Sequence, residues 1–243
     1  MKTEGRNAVI ELLKTGKNVD KILMEKSNGS PQGSLGVIFA EARKRNIRVQ
    51  FVEKRVLEKD SETGRHQGVI AYTTDYEYFD LDDIIAERKS EKGGFIVLCD
   101  GIEDVHNLGS IIRVAECGGV DGVVIPKTGG APVTESVIRI SAGAAEHMKV
   151  ARVANLNQAI EKLQKNGFWV YALEAGGEDI YAEDFSGNVA LIVGGEDSGV
   201  KRLTKEKCDK VLSIPLQGKV NSLNASVALG IATYEVVRKR LQK

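Results

Sequence analysis

Three loops in the second half of the sequence carry side chains able to do chemistry, and each follows or precedes a short apolar run. The richest is Val211 to Val236. Val211–Ile214 reads as a buried strand stopped by Pro215, and the polar loop after it contains Gly218. Ser222, Asn224 or Ser226 is then placed to cap a helix of small and apolar residues reaching Arg240. A helix start leaves backbone N–H groups unpaired, and beside the carboxyl end of a strand such groups face a bound molecule. Taken alone, the stretch reads equally well as a plain strand, turn and helix. Two other stretches shift that balance. Asn107 and Arg113 stand six residues apart across another loop-to-helix entrance, with Gly109 between them allowing close backbone approach. Arg113 offers a planar fork for a phosphate or carboxylate. Ile111 and Ile112 beside it point to a largely buried helix, where an arginine needs an anionic partner. Finally, Ala190–Val193 runs into Gly194-Gly195-Glu196-Asp197-Ser198-Gly199, a glycine-rich loop with two carboxylates that favours a nucleotide-like ligand.

Other chemistries are disfavoured by spelling. Neither GxGxxG nor GxxxxGK[ST] occurs here, and a metal held by Glu196 and Asp197 lacks histidine support, so no metal is expected. Cys99, Cys117 and Cys208 lie far apart without disulfide or ligand spacing and read as reduced core thiols. His66, alone before a strand, reads as a hydrogen-bonded structural residue.

The elements that must position these loops alternate regularly. Phe95–Cys99 is a near-continuous apolar run, as a parallel strand covered on both faces requires. Signals follow at Gly122–Pro126, Thr134–Ile140 and Val150–Val153, then a helix over Leu156–Lys165 and a strand over Phe168–Leu173. The front of the chain is a smaller α/β/α unit: a helix through Ala8, Val9, Leu12 and Leu13 ended by Gly16, strands at Lys21–Met24, Val49–Val52 and Val69–Tyr72, and a helix over Leu35–Ala42 ending in Arg43-Lys44-Arg45. Residues 1–74 carry 14 Lys and Arg against 9 Asp and Glu, a local basic excess inside a chain of zero net charge. Arg43, Lys44, Arg45 and Arg48 read as a solvated helix end rather than phosphate ligands on local evidence. Composition from 75 to 92 turns acidic and polar, the mark of a linker with one helical turn. The predicted domains are therefore 1–74, a linker at 75–92, and 93–243. No signal peptide or run of 18 apolar residues is found, which predicts a cytoplasmic protein with no membrane partner.

Together, Asn-x-Gly-x-x-x-Arg at 107–113, Gly-Gly-Glu-x-x-Gly at 194–199 and Ile-Pro-Leu-x-Gly-x-x-x-Ser-Leu-Asn-x-Ser at 214–226 resemble, in order, the three signature motifs of the SpoU (TrmH) methyltransferases. The resemblance covers residues 95–243. Gly-Arg-Asn-Ala-Val at 5–9 and Arg-His-Gln-Gly at 65–68 are similar to the ribosomal-protein-like RNA-binding domain of the RlmB subgroup, which methylates a guanosine ribose in large-subunit (23S) ribosomal RNA. The resemblance implies a SPOUT-type α/β fold with a parallel sheet and a carboxyl-terminal trefoil knot, a homodimer with its active site completed across the interface, and S-adenosylmethionine as cofactor. On the matching positions, Gly194, Gly195, Ile214, Leu216 and Leu223 would line the cofactor pocket, and Asn107, Arg113, Glu196, Ser222 and Asn224 would form the catalytic group. Because a guanidinium resists deprotonation, Arg113 would bind the target phosphate and stabilise the forming alkoxide, the proton going to a phosphate oxygen or water. Transfer RNA is the alternative substrate, and a non-catalytic RNA-binding or ribosome-assembly protein of the same fold the alternative class.

Overall fold

The computed structural model describes residues 1–243 apart from 16, 18, 28, 46, 74, 75, 88–92, 196–198 and 243. Two compact units divide the chain, Met1–Tyr76 and Glu77–Lys243.

In the first unit, β1 (Lys2–Glu4), α1 (Arg6–Lys14), β2 (Val19–Glu25), α2 (Gly33–Lys44), β3 (Arg48–Val52), α3 (Lys54–Asp60) and β4 (Val69–Thr73) build a four-stranded sheet of order β1-β4-β2-β3. β4 is antiparallel to both β1 and β2, while β2 and β3 are parallel. Alternation along β2 and β4 sends Ile22, Met24, Val69 and Ala71 to a core with Val9, Leu13, Ile38 and Ala42 of the first two helices. Leu23 and Ile70 go to the other face, where they meet Leu57 of α3. The sequence pattern missed α3, because Leu57 is its one buried residue. Arg45 is structural, its guanidinium donating to the carbonyls of Leu13 and Lys17 and so closing the end of α1. Gly16, expected to end that helix, lies outside the described residues. His66 is buried, with Nδ1 accepting from the Gly68 backbone N–H at 3.1 Å.

The second unit begins earlier than composition suggested. Residues 77–86 belong to it: Phe79 bridges to Ala151, and α4 (Leu81–Ala86) buries Leu81, Ile84 and Ile85 in the main core. The segment read as a linker thus contains a packed helix whose polar residues, Asp82 and Asp83, face away from that core. After it come β5 (Phe95–Asp100), α5 (Val105–Cys117), β6 (Gly122–Pro126), α6 (Glu135–Ile140), β7 (Val150–Val153), α7 (Leu156–Lys165), β8 (Phe168–Asp179), β9 (Asn188–Gly194), α8 (Arg202–Lys207), β10 (Lys210–Ser213) and α9 (Ala225–Leu241). The six strands are all parallel, in the order β10-β8-β9-β5-β6-β7. Ile96 and Leu98 of β5 and Ala190 and Ile192 of β9 point to one face, against α4 and α7. On the opposite side α5 packs between α6 and α9. From β10 at the sheet edge the chain returns through residues 214–224 to α9, which packs against β9 and α5. In a parallel sheet every strand delivers its carboxyl end to the same edge, so the loops after β5, β9 and β10 collect there.

Candidate active site

Each loop is shaped by local chemistry. Asp104 caps α5, its Oδ1 accepting from the backbone N–H of His106 at 2.6 Å and of Asn107 at 3.0 Å. Asn107 therefore sits inside the first helical turn and is buried. Gly109, two residues on, lies tight against α6: a Cβ there would come within 2.6 Å of the Ile140 side chain. Asn224 caps α9, its Oδ1 accepting from Ser226 N at 3.0 Å and Val227 N at 3.3 Å. Its amide nitrogen donates to Asn107 Oδ1 at 2.9 Å across 117 residues of sequence. One side chain thus fastens the starts of two helices to each other.

The two ends of the loop after β9 meet. Gly195 and Gly199 pair as an antiparallel bridge, with Gly199 N donating to Gly195 O at 2.8 Å. A Cβ on Gly194 would stand 2.0 Å from the Gly199 carbonyl carbon, and one on Gly195 would stand 2.5 Å from Gly101 O. Only glycine fits either position. Glu196, assigned by resemblance to the catalytic group, lies outside the described residues, as do Asp197 and Ser198.

Gly194, Gly195, Ile214, Leu216, Ser222 and Leu223 line one cavity of about 330 Å³ at this edge of the sheet. The wall is mixed: Leu173, Val193, Leu212, Ala225 and Ala228 complete its apolar part, and Glu174, Asn221, Ser222 and the glycine backbone supply polar atoms. A cavity lined by apolar side chains and polar groups in near-equal measure suits an adenine ring with a polar tail. Asn224 stands next in sequence to both Leu223 and Ala225 of this wall, so the Asn224–Asn107 pair borders the cavity.

Arg113 departs from expectation. It is exposed, not buried, because Leu108, Ile111, Ile112 and Ala115 take the inward positions of α5 and leave 113 on the outer side. Six helical residues carry it about 9 Å along the axis and about 120° around from Asn107. It lines no part of the cavity, and among the described residues it has no ion-pair partner. The cysteines also depart in part. Cys99 is buried and Cys208 half-buried, but Cys117 at the end of α5 is exposed. Burial, then Asp100, pushes the Cys99 thiol up to about 12, and burial with Asp209 and Asp100 does the same to Cys208, so neither is poised as a nucleophile.

Two carboxylates that no motif marked hold the β9 loop. Asp100 is buried at the end of β5; its Oδ2 accepts from Lys201 N at 3.0 Å, its Oδ1 pairs with Lys201 Nζ at 3.1 Å, and its carbonyl accepts from Gly195 N at 3.0 Å. Both ends of the loop are therefore tied to one residue. Glu174 accepts from Val200 N at 2.9 Å. The signal for both was positional: each stands where a parallel strand meets the loop edge.

A parallel α/β sheet whose glycine loop and two helix starts converge on one cavity defines a small-molecule-binding α/β enzyme fold. Residues 94–234 match the SpoU rRNA Methylase family, and residues 3–79 match the RNA 2'-O ribose methyltransferase substrate-binding family. A TrmH family tRNA/rRNA methyltransferase by name, YacO of Bacillus subtilis, is 44% identical over 239 residues, covering 97% of this chain and 94% of that protein. The SpoU methyltransferase AviRb from Streptomyces viridochromogenes, solved in complex with AdoMet, shares the fold with a TM-score of 0.63 at 22% identity, over 100% of this chain and 91% of that one. The TrmH/SpoU tRNA modifying enzyme of A. aeolicus aligns with a TM-score of 0.57 at 27% identity, over 65% of this chain and 80% of its own. The chain belongs to the SpoU/TrmH family of RNA methyltransferases.

Proposed function

We propose that this protein transfers the methyl group of S-adenosylmethionine to the ribose 2'-hydroxyl of a guanosine in 23S ribosomal RNA. The observation that carries the reading is the convergence of Gly194, Gly195, Ile214, Leu216 and Leu223 on one cavity, bordered by the hydrogen-bonded Asn107 and Asn224. The residues fit an adenosyl cofactor: Gly194, Gly195 and Gly199 let the ends of the loop after β9 close tightly against the cavity, and the apolar side chains of the wall offer surface for adenine. The bound cofactor supplies an electrophilic methyl group. This chain's part is to orient the acceptor ribose and to stabilise charge on its oxygen.

Within that division, Asn224 is a positioning residue, since its oxygen and nitrogen are both engaged between α5 and α9. Ser222, exposed on the cavity wall, is placed to touch the bound molecules. Arg113 acts on the target phosphate and the forming alkoxide, and its outward position on α5 favours delivery to the cavity of a second subunit. A homodimer is supported by α9 itself. Val227, Tyr234 and Leu241 recur every seven residues on one side of the helix, 50%, 52% and 76% exposed, an apolar row beside α5. The return path from β10 through 214–224 to α9 is the segment we assign to a trefoil knot.

The first unit is assigned to RNA. Arg43, Lys44 and Arg48 are exposed and, among the described residues, have no ion-pair partner, so their charge is available to phosphates. Transfer RNA is a second reading, favoured by the likeness to the A. aeolicus tRNA modifying enzyme. Mapping of 2'-O-methyl positions in ribosomal and transfer RNA from cells with and without the protein separates the two. Loss of a guanosine mark in 23S RNA supports the first; loss only in transfer RNA replaces it.

A further inference from the structure

Among the residues described around the cavity, Glu174 is the one that carries charge, and its place follows from the strand ladder. β8 pairs with β9 as far as Leu173 opposite Val193, then leaves the ladder and rejoins β10 only at Glu178. Glu174 is thus the first residue past the carboxyl end of the paired strand. Its Oε2 accepts from Val200 N at 2.9 Å, and Lys205 Nζ stands 3.7 Å from the same oxygen. Gly199 makes room for the carboxylate: a Cβ at that position would lie 2.5 Å from Oε2 and 2.8 Å from Oε1, on a backbone with φ of +60°. One oxygen is therefore engaged by the loop, while Oε1 has no hydrogen-bond partner among the described residues. The side chain is 27% exposed, open to the cavity rather than sealed beneath it.

We propose that Glu174 Oε1 accepts hydrogen bonds from the vicinal hydroxyls of the cofactor's ribose. The inference rests on the reading that this cavity binds S-adenosylmethionine. An acid just past a parallel strand, next to a glycine-rich turn, is where the ribose hydroxyls of a nucleotide find their acceptor. Lys205 already offsets part of the charge, which reduces what a sulfonium or ammonium group would gain there and leaves lone pairs for neutral donors. Glu174 also links ligand and loop, because the same carboxylate that meets the ribose holds Val200 behind Gly199.

Calorimetry with the full-length protein tests this, using S-adenosylmethionine, S-adenosylhomocysteine and the 2'-deoxy and 3'-deoxy forms of the latter against wild type and Glu174→Gln. Glutamine keeps a carbonyl for Val200 N and nearly the same shape. Expected is a loss of about tenfold or more for both natural ligands in the variant, the scale of a hydrogen bond to a charged group. The penalty for removing a ribose hydroxyl, present in wild type, should shrink in the variant, since the two changes delete one contact. An undiminished deoxy penalty would overturn the proposal and leave Glu174 a loop anchor. A loss confined to S-adenosylmethionine would overturn it in favour of pairing with the sulfonium, and unchanged binding would overturn it outright. Wild-type protein that binds neither natural ligand would remove the cofactor reading, and this inference with it.

Discussion

The two units use the same materials, β-strands covered by helices, to opposite ends. In the first, β4 runs antiparallel to both its neighbours, so strand ends and their loops are shared between the two edges of the sheet. Its exposed basic residues are spread over α1, α2, β3 and α3, among them Lys14, Arg43, Lys44, Arg48, Lys54 and Lys59. In the second, six parallel strands send every carboxyl end to one edge, and the loops after β9 and β10 meet in a cavity beside the start of α5. Strand direction alone concentrates functional groups in one unit and spreads them in the other. The chemistry is accordingly assigned to the second unit and the affinity for RNA to the first.

That division is broken most severely by removing the proposed catalytic cation. Arg113→Ala should lower methyl transfer by about 10² or more, as losing a transition-state charge stabiliser does, while S-adenosylmethionine affinity stays within about twofold. Single-turnover rates at saturating RNA, with calorimetry, give both numbers. Near-normal turnover would move the role elsewhere, first to Glu196. Arg113→Lys keeps the charge without the planar fork and should fall between the two.

Next in size is separation of the units. A fragment of residues 77–243 should keep cofactor affinity and lose RNA affinity by about tenfold or more, the scale of a few phosphate contacts at moderate salt. Filter binding over a salt series measures it. A fragment starting at 91 should be far less stable, because it lacks Leu81, Ile84 and Ile85 of the core. Equal RNA binding by residues 77–243 and the full chain would place recognition in the second unit.

The contrast between these fragments shows what the sequence made legible. Motif glycines and their apolar neighbours were readable, since Gly194, Gly195, Ile214, Leu216 and Leu223 meet at one cavity. The exposure of Arg113 is not legible from Ile111 and Ile112 beside it, but the spacing of Leu108, Ile111, Ile112 and Ala115 describes an inward stripe that omits it. Acidic residues at 80, 82 and 83 hid a similar stripe in α4, where Leu81, Ile84 and Ile85 face the core. Glu174 and Asp100 belong to no repeating pattern; their roles exist only once parallel strands bring loops from distant sequence together. The Asn107–Asn224 bond is of the same kind.

A smaller effect separates capping from coupling at that bond. Asn224→Ala should cost about 1 kcal/mol of stability through the lost cap. Asn224→Asp keeps the cap but loses the donor to Asn107, so its melting midpoint should stay near wild type while methyl transfer falls. Denaturant melts and single-turnover rates compare the pair. Asn224→Asp with full activity would reduce this bond to a structural one.

The smallest effect belongs to the first unit. Burial raises the pKa of Glu4, but hydrogen bonds from Ser61 and Thr63 and the backbone N–H groups of Glu62 and Thr63 outweigh it and bring the pKa from 4.5 to about 2. A depressed carboxylate pKa adds stability that is fully present above about 4.5 and lost as pH falls towards about 2. Glu4→Gln should remove that pH dependence from the first unit's unfolding. Parallel acid titrations of wild type and variant, followed by circular dichroism, would show it, and coincident curves would contradict it.

The most direct test of the account is methyl transfer itself. Purified protein, labelled S-adenosylmethionine and ribosomal RNA from cells lacking the protein should yield one labelled guanosine ribose, resistant to alkaline cleavage at its 3' side, in 23S RNA. Label on a base, or no transfer to ribosomal or transfer RNA by protein that binds the cofactor, would contradict it.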